Sequence, residues 1–380
     1  MYLSKLDSGN VVFFFGAGAS APFGIPTMKQ FVNDFEELLF ENAEKKEREM
    51  YSDIKKTLEN KTHRHVDLEG IFTVIDGIIN YDNPEKLGML ALYFESERKK
   101  HFPTAEHVET CNKLKVKFQN FIKEKCDIPG TFPKIEKVYG DFFNRIALEL
   151  GNYDTHGKYF FNSNWNIFTT NYDVCLECFW RTIVQINLNT VFKHDPRRNK
   201  SIMDPYSILA NTRGEIKLFK LHGSISWLID EKTGDVIEVS EKGHSLMGTS
   251  YAGEMMLYPI SEKELYLEPY ISMLVKLNRE LERKAIWIVI GYSFNDPVIQ
   301  EIFRKNWSTN KHLILIHPNA NEIFNRQLKG IVGDSIEKYF GLTESLAITG
   351  DKRFDYRQVN HQLIHKLVEH PKYQWNQEPK

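Results

Sequence analysis

The chain of 380 residues has few cysteines, no long hydrophobic run and almost no net charge. Four cysteines are too few to crosslink a chain of this length, so we expect a reducing compartment rather than a secreted disulfide scaffold. No apolar run approaches the roughly 18–20 residues of a transmembrane helix, and we therefore expect no membrane span. The formal charge of −2, from 49 basic and 51 acidic residues, provides no global field for nucleic acid, so we predict no direct nucleic-acid binding.

The apolar stretch near the N-terminus is too short for a secretory signal. Its dense core, Val11–Phe15, contains five residues before Gly16, whereas the apolar region of a signal has roughly 7–15. The flanking charges of Lys5 and Asp7 also cancel. A short buried strand that enters a glycine turn fits better, and we expect a cytoplasmic protein.

Familiar catalytic motifs are also missing. The sequence has no Walker A, HExxH or EF-hand pattern. The segment Gly291–Asn295 (GYSFN) lacks the second glycine of a nucleophile elbow. Apolar residues make up 42% and charged residues 26%, which is ordinary for a globular protein.

Five short apolar runs, each bounded by Gly, Asn or Pro, have the pattern of strands buried on both faces. They are Val11–Phe15, Asn166–Thr170, Ile216–Leu221, Ala285–Ile290 and Leu313–Ile316. Helix-start signals follow several of them, namely Thr27, Asn321, and Asp296 with Pro297 at the first helical position. The alternation predicts an α/β fold with a Rossmann-like parallel sheet and helices on both faces.

Three segments interrupt that alternation. Residues 28–160 lack a convincing strand, and we interpret them as a large helical insertion. Residues 225–258 combine glycines with short alternating runs and predict a hairpin or flap. Residues 346–380 contain apolar positions at helical spacing and predict a C-terminal helical tail. The basic run Lys193–Lys200 (KHDPRRNK) is interpreted as a solvated loop.

A glycine-rich turn, Gly16–Ala21 (GAGASA), follows the first strand. Glycines let a backbone approach a phosphate closely, and free N–H groups with a helix end attract its charge. A dinucleotide dehydrogenase would place an acidic residue at the end of a second strand about 20 residues on. Here Asp34–Glu37 lies in an amphipathic helical pattern, which disfavours an ordinary dehydrogenase. A tight turn without a ligand remains the alternative.

Three further strand ends carry polar residues: Thr169–Asp173 (TTNYD), Lys220–Ser224 (KLHGS) and Gly291–Pro297 (GYSFNDP). Ligands of open α/β sheets bind at the carboxyl ends of strands. Each motif has a structural alternative, because Asn171 and Asp173 can cap a helix and His222 can be a buried core histidine. Ser293 and Asp296 can likewise be turn and cap residues. Together, the four strand ends predict a nucleotide cleft.

These four motifs resemble the sirtuin domain, and most of all the divergent sirtuin-like proteins of prokaryotic anti-phage defence. They run from residue 16 to residue 297, so the resemblance spans most of the chain. We therefore predict a sirtuin-like domain over residues 1–345. The resemblance implies a cleft that binds NAD and breaks the bond between nicotinamide and ribose.

The resemblance also implies roles for individual residues. Asn171 would hold the nicotinamide ribose or the attacking water, and His222 would be the base. Asp173 would receive the nicotinamide carboxamide, and Ser293 would contact phosphate or ribose. The full set of implied NAD-binding residues is Gly16, Ala17, Gly18, Ser20, Thr170, Asp173, Gly291 and Ser293.

Departures from the family pattern concern zinc and the acyl-lysine substrate. Deacylating sirtuins carry two CxxC pairs, whereas Cys175 and Cys178 form the only pair here, and Cys111 and Cys126 are fifteen residues apart. We therefore expect core thiols and no zinc. The family's GIPDFR stretch reads GIPTMK here, and Thr170 replaces a glutamine, which disfavours acyl-lysine chemistry.

The resulting hypothesis is an NAD glycohydrolase that uses NAD as its substrate. Such an activity depletes the cofactor and is toxic, so the resemblance implies control by homo-oligomeric assembly or by a partner such as a HerA-type ATPase. Two alternatives remain open. One is an NAD-dependent protein deacylase, and the other is a non-catalytic module that senses NAD or ADP-ribose.

Overall fold

The computed structural model describes residues 10–62, 68–80, 104–127, 131–149, 165–186, 188–209, 215–239, 251–256, 268–308, 311–317 and 319–329. The chain divides into two compact units. The first contains Met1–Ile25, Ile128–Met256 and Leu265–Lys380, and the second contains Pro26–Asp127 and Leu257–Glu264.

The described residues form eleven strands and ten α-helices. The strands are β1 (Val11–Phe15), β2 (Asn166–Thr169), β3 (Leu188–Asn189), β4 (Phe192–Asp195), β5 (Lys200–Met203), β6 (Ile216–Lys220), β7 (Gly223–Asp230), β8 (Val236–Glu238), β9 (Tyr251–Met256), β10 (Ile286–Ile290) and β11 (His312–Ile316). The α-helices are α1 (Met28–Asn42), α2 (Lys45–Thr62), α3 (Leu68–Ile79), α4 (Ala105–Cys126), α5 (Phe132–Glu149), α6 (Cys175–Glu177), α7 (Pro205–Leu209), α8 (Tyr270–Arg283), α9 (Pro297–Asn306) and α10 (Ala320–Ile323).

The first unit contains the predicted parallel sheet. Its six strands lie in the order β11-β10-β1-β2-β6-β3, and every pair is parallel. The five strands expected from the sequence are all present, with ends that differ by at most one residue. The predicted α/β fold is therefore confirmed, and β3 is a short edge strand that the sequence pattern did not reveal.

The rings of β1 show how helices cover both faces of this sheet. Successive side chains of a strand point to opposite faces. Phe13 and Phe15 contact Phe143 of α5, with ring centroids 5.9 and 6.1 Å apart. Phe14 contacts Phe303 of α9 at 5.4 Å. All three β1 rings are fully buried, which accounts for a continuous apolar run rather than an alternating one.

A second, antiparallel sheet in the same unit has the order β4-β5-β8-β7-β9. Strands β7 and β8 form the hairpin expected within residues 225–258. The prediction of a solvated loop over Lys193–Lys200 is wrong at both ends of the run, because β4 and β5 pair there. Residues 196–199 form an exposed turn as predicted, in which Asn199 has a φ of 50°. Phe192 packs on Trp227 at 5.1 Å, and this long-range contact anchors the charged hairpin.

In the second unit the described residues form four helices, α1 to α4, around a cluster of rings. Phe35 contacts Phe72, Phe118 and Phe121, and Phe72 stacks on Phe118 at 3.7 Å. Cys111 is buried in this unit, and burial raises the pKa of its thiol to about 11. Helix α5, also inside the predicted insertion, belongs to the first unit.

Three helix starts test the capping signals, and Thr27 is the N-cap of α1 as predicted. Asp296 caps α9 as predicted, because its Oδ1 accepts hydrogen bonds from the backbone of Val298 and Ile299. Asn321 is not a cap, since α10 begins one residue earlier at Ala320. The predicted tail, residues 346–380, lies outside the described residues. No helix in the described ranges combines the length and the apolar character needed to cross a bilayer.

Asp230, the last residue of β7, connects this strand to β5 and to the turn that follows β7. Its Oδ1 accepts hydrogen bonds from the backbone of Lys232 at 2.9 Å and of Thr233 at 3.2 Å. Its Oδ2 accepts a hydrogen bond from Lys200 of β5. The Lys200 hydrogen bond and these two backbone amides lower the pKa of Asp230 to about 2.

We predict that Asp230→Asn destabilises the protein at neutral pH and that the difference from wild type shrinks in acid. A carboxylate with a lowered pKa in the folded state contributes its stability above the unfolded pKa of about 3.9. That contribution disappears as the pH falls from about 4 through about 2. Urea unfolding from pH 7 downward measures it, with Asp53→Asn at an exposed position of α2 as the control. A difference that stays constant below pH 4 contradicts the prediction.

Candidate functional site

Two loops meet where β1 and β10 end. The chain leaves β1 for β2 on one side, while β10 lies on the other, so this is the point where the strand order reverses. The Gly16 N–H donates to the carbonyl of Ile290 at 2.8 Å, and the Gly18 N–H donates to the carbonyl of Gly291 at 2.9 Å. Such reversal points are the usual ligand sites of open parallel sheets.

Glycine is required in both loops because their backbones touch. A Cβ on Gly16 would lie 2.6 Å from the Cα of Tyr292, and one on Gly18 would lie 2.9 Å from the Cα of Gly291. Gly291 has a φ of +64°, and a Cβ there would lie 2.2 Å from the nitrogen of Ala19. Loop-to-loop packing therefore accounts for these glycines, and their role in binding the phosphates of NAD stays a prediction.

Several amides of the turn already donate within the fold. The Ala19 N–H bonds the carbonyl of Gly16 at 2.9 Å, and the Ser20 N–H bonds that of Ala17 at 3.1 Å. The residues after β1 form two short 3₁₀ turns, and the first α-helix begins only at Met28. The N-terminus of α1, which was expected to attract phosphate, therefore does not directly follow the glycine turn along the chain.

Ser20, Asn171 and Asp173 form a buried polar cluster beside the glycine turn. The Asn171 Nδ2 donates to the carbonyl of Gly16 and to Ser20 Oγ, both at 2.9 Å. Ser20 Oγ donates to Asp173 Oδ2 at 2.7 Å. These hydrogen bonds join the loop after β2 to the loop after β1. Their side chains belong to two different predicted motifs.

The contacts of Asn171 fix the orientation of its amide. A carbonyl oxygen such as that of Gly16 can only accept, so the atom facing it must be the NH₂ group. The opposite atom, Oδ1, is buried and accepts no hydrogen bond from the described residues. Asn171 is only 9% exposed. A buried acceptor without a protein donor fits a ligand hydroxyl or a water molecule.

Asp173 also organises its own loop. Its Oδ1 accepts a hydrogen bond from the backbone of Cys175 at 3.0 Å, at the start of α6. Burial, and next the Asp173 carboxylate, raise the pKa of the Cys175 thiol well above its usual range. A thiol with a raised pKa stays protonated at neutral pH and is a poor nucleophile.

All four cysteines are buried in the structure, which confirms the prediction of core thiols. Among the residues that the structure describes, no group of three or more His, Cys, Asp or Glu side chains is placed to hold a metal ion. The expectation of no zinc stays a prediction.

His222 follows β6 and faces a carboxylate from another strand end. Its Nε2 lies 3.3 Å from Asp296 Oδ2, and the two side chains are 11% and 8% exposed. Asp296 belongs to the loop that begins at Gly291 and packs on the glycine turn. The sequence identified Asp296 only as a helix cap, and its position in the last of the four motifs was the signal for a second role.

A buried ion pair, which the sequence analysis missed, supports the loop after β2. Lys220 Nζ donates to Glu177 Oε1 at 2.8 Å and to the carbonyl of Tyr172 at 3.2 Å. It also donates to the carbonyl of Asp173. Both charged side chains are 2% exposed. This lysine holds the backbone that carries the Asn171 and Asp173 side chains.

The other predicted site residues lie at the same edge of the sheet. The Thr170 N–H donates to the carbonyl of Phe15 at 3.2 Å. Ala17, Thr170 and Ser293 are half-buried. The structure thus joins the glycine turn to the Asn171 loop and to the Gly291 loop, and joins His222 to the latter through Asp296. The role of each residue stays a prediction.

Residues 166–332 match the family model described as a SIR2-like domain. This SIR2-like region includes β2 through β11, and with them Asn171, His222 and Asp296. It begins after β1 and the glycine turn. A search of curated proteins found no match.

Solved structures with similarity to this chain include three of Sir2 homologues. One, described as an NAD complex, is 13% identical, covers 94% of this chain and 88% of its own, and has a TM-score of 0.37. A mutant with ADP-ribose is 15% identical over 94% and 91%, with a TM-score of 0.35. A triple mutant with 2′-O-acetyl-ADP-ribose is 16% identical over 95% and 94%, with a TM-score of 0.37.

We predict that Gly291→Ala destabilises the protein far more than Gly24→Ala. Both glycines have positive φ, which costs a substituted residue about 1–2 kcal/mol, but only Gly291 adds a backbone clash. We expect a loss of about 2–5 kcal/mol for Gly291→Ala, since overpacking adds a further 1–3 kcal/mol. Chemical denaturation measures both variants. Equal losses would contradict the close contact of the two loops.

We also predict that Lys220→Met lowers the free energy of unfolding by about 3–5 kcal/mol, because it leaves the Glu177 carboxylate buried without its cation. The double variant Lys220→Met, Glu177→Gln removes the uncompensated charge and should recover a large part of that loss. Urea denaturation of both variants tests this. A double variant no more stable than the single one would show that the pair does not carry the effect.

Proposed function

We propose that this protein is an NAD glycohydrolase that cleaves NAD to nicotinamide and ADP-ribose. The observation that carries the proposal is the buried Oδ1 of Asn171, held in a fixed orientation beside the turn at which the strand order reverses. The family match over residues 166–332 and the descriptions of the Sir2 homologue complexes with NAD and ADP-ribose support it.

The chemistry of NAD cleavage suits the residues present. The bond between the ribose C1′ and the nicotinamide nitrogen breaks, and its electron pair leaves with nicotinamide as a neutral ring. No strong acid is therefore needed, unlike in glycosidases with paired carboxylates. Water donates its oxygen to C1′ and loses a proton to a base. A positioned base contributes about 10²–10⁴-fold, and histidine is the residue type most often used for this task.

Asn171 and Asp173 take the two ends of the nicotinamide riboside in this proposal. The buried Oδ1 of Asn171 accepts a hydrogen bond from a ribose hydroxyl or from the attacking water. Each Asp173 oxygen already accepts one hydrogen bond, but a carboxylate has about four lone-pair sites. The carboxamide of nicotinamide therefore has an acceptor available at Asp173. We assign the binding of phosphate and ribose to the other residues of the predicted set: Gly16, Ala17, Gly18, Ser20, Thr170, Gly291 and Ser293.

Free turnover of NAD is harmful to a cell, so we propose that activity is controlled. Candidates for the control are assembly into a homo-oligomer and association with a HerA-type ATPase, within a cytoplasmic anti-phage defence system. The resemblance of the four strand-end motifs supports this context. We also propose that residues 1–345 form the sirtuin-like domain and that residues 346–380 form a separate helical tail.

The test is release of nicotinamide from NAD by the purified protein, alone and together with the product of the neighbouring gene. We predict that Asn171→Ala and His222→Ala lower the rate by about 100-fold or more while the fold survives. Matched controls are Asn33→Ala and His194→Ala, at exposed positions of α1 and β4, which should keep the wild-type rate.

Circular dichroism and thermal melting establish that the variants fold. Near-full turnover by Asn171→Ala or His222→Ala would show that the assigned roles are wrong. Failure of the wild-type protein to release nicotinamide in both arms would count against NAD hydrolysis itself.

A further inference from the structure

The two oxygens of the Asp296 carboxylate contact different groups, the first turn of α9 and the imidazole of His222. Oδ1 accepts hydrogen bonds from the backbone of Val298 at 2.9 Å and of Ile299 at 3.2 Å, and so caps α9. Oδ2 lies 3.3 Å from Nε2 of His222. The His222 and Asp296 side chains are only 11% and 8% exposed, so water screens their interaction weakly.

The loop that carries Asp296 is held rigidly from both ends. Phe294 has a φ of 59°, a conformation that non-glycine residues adopt only when their surroundings impose it. Its ring is fully buried and packs on Phe303 at 5.1 Å and on Tyr292 at 5.0 Å. At the other end, the cap fixes Asp296 at the first turn of α9. The carboxylate therefore meets the imidazole in one fixed geometry.

We propose that Asp296 is a positioning residue for His222, an inference that rests on the proposed NAD hydrolysis. Nε2 of His222 lies within ion-pair distance of the carboxylate, so the two groups attract each other once the imidazole is protonated. When His222 takes the proton of the attacking water, it becomes a cation. The negative charge of Asp296 stabilises that cation at the moment it forms, as an aspartate does for a catalytic histidine in serine proteases.

A purely structural role for Asp296 makes a different prediction, and one substitution separates the two. Asparagine caps a helix N-terminus about as well as aspartate. Asp296→Asn therefore keeps the cap of α9 but removes the charge beside His222. Asp296→Ala removes both the cap and the charge. Asp204→Asn is the matched control, because Asp204 Oδ1 accepts from the backbone of Tyr206 at the start of α7, away from the four motifs.

The experiment measures kcat and KM for NAD cleavage and the melting temperature of each variant. We expect Asp296→Asn to melt near the wild-type temperature and to lose about 100-fold or more in kcat, with little change in KM. Asp296→Ala should lose kcat and also melt at a lower temperature. Asp204→Asn should retain the wild-type kcat. If Asp296→Asn keeps the wild-type kcat in a protein that cleaves NAD, Asp296 is a helix cap only and the proposal is overturned.

A second measurement does not depend on turnover. Nitrogen-15 NMR of labelled histidine reports whether an imidazole is charged, and His222→Gln assigns the signal. We expect the imidazole of His222 to stay charged to a higher pH in the wild-type protein than in Asp296→Asn, because the Asp296 carboxylate lies within ion-pair distance. His222 signals that change at the same pH in both proteins would overturn the proposal. A changed signal in a protein that releases no nicotinamide would uphold the pair and refute the proposed function.

Discussion

Two backbones touch where β1 and β10 end, and the rest of the site depends on that contact. Gly16 and Gly18 lie directly against Gly291, with no room for a Cβ on any of the three. Asn171 donates a hydrogen bond to the carbonyl of Gly16 in the glycine turn. The loop that carries Asp296 begins at Gly291, in contact with the same turn. A side chain at any of these glycines would separate the two halves of the site.

Side chains complete what the backbone contact begins. Asn171 and Asp173 form hydrogen bonds that join the loop after β2 to Ser20. Lys220 donates hydrogen bonds to two carbonyl groups of the same loop, those of Tyr172 and Asp173. All of these polar groups are buried, and buried polar groups are stable only when their hydrogen bonds are made. Asn171 Oδ1 is one of the buried atoms that accept no hydrogen bond from the described residues, and this is the atom to which we assign a ligand hydroxyl or a water molecule.

Much of the fold was predictable because a parallel sheet buried on both faces leaves a strong local signal. Each core strand is a short apolar run, and Asp296 followed by Pro297 predicted the start of α9. Strands with weak local signals were missed. The run Lys193–Lys200 is charged, and its hairpin is held by the contact of Phe192 with Trp227, which lies far away in the sequence.

The sequence by itself determined which residues stand at the ends of the strands, because glycine, asparagine and histidine there interrupt apolar runs in a way that is visible locally. Only the tertiary structure decided what those residues touch. In the structure the glycines contact each other, and the side-chain NH₂ group of Asn171 donates to Gly16 and Ser20. Asp296 lies beside His222. These contacts join loops more than seventy residues apart in the chain, and local spacing carries no information about pairs that the crossover connections of a sheet bring together.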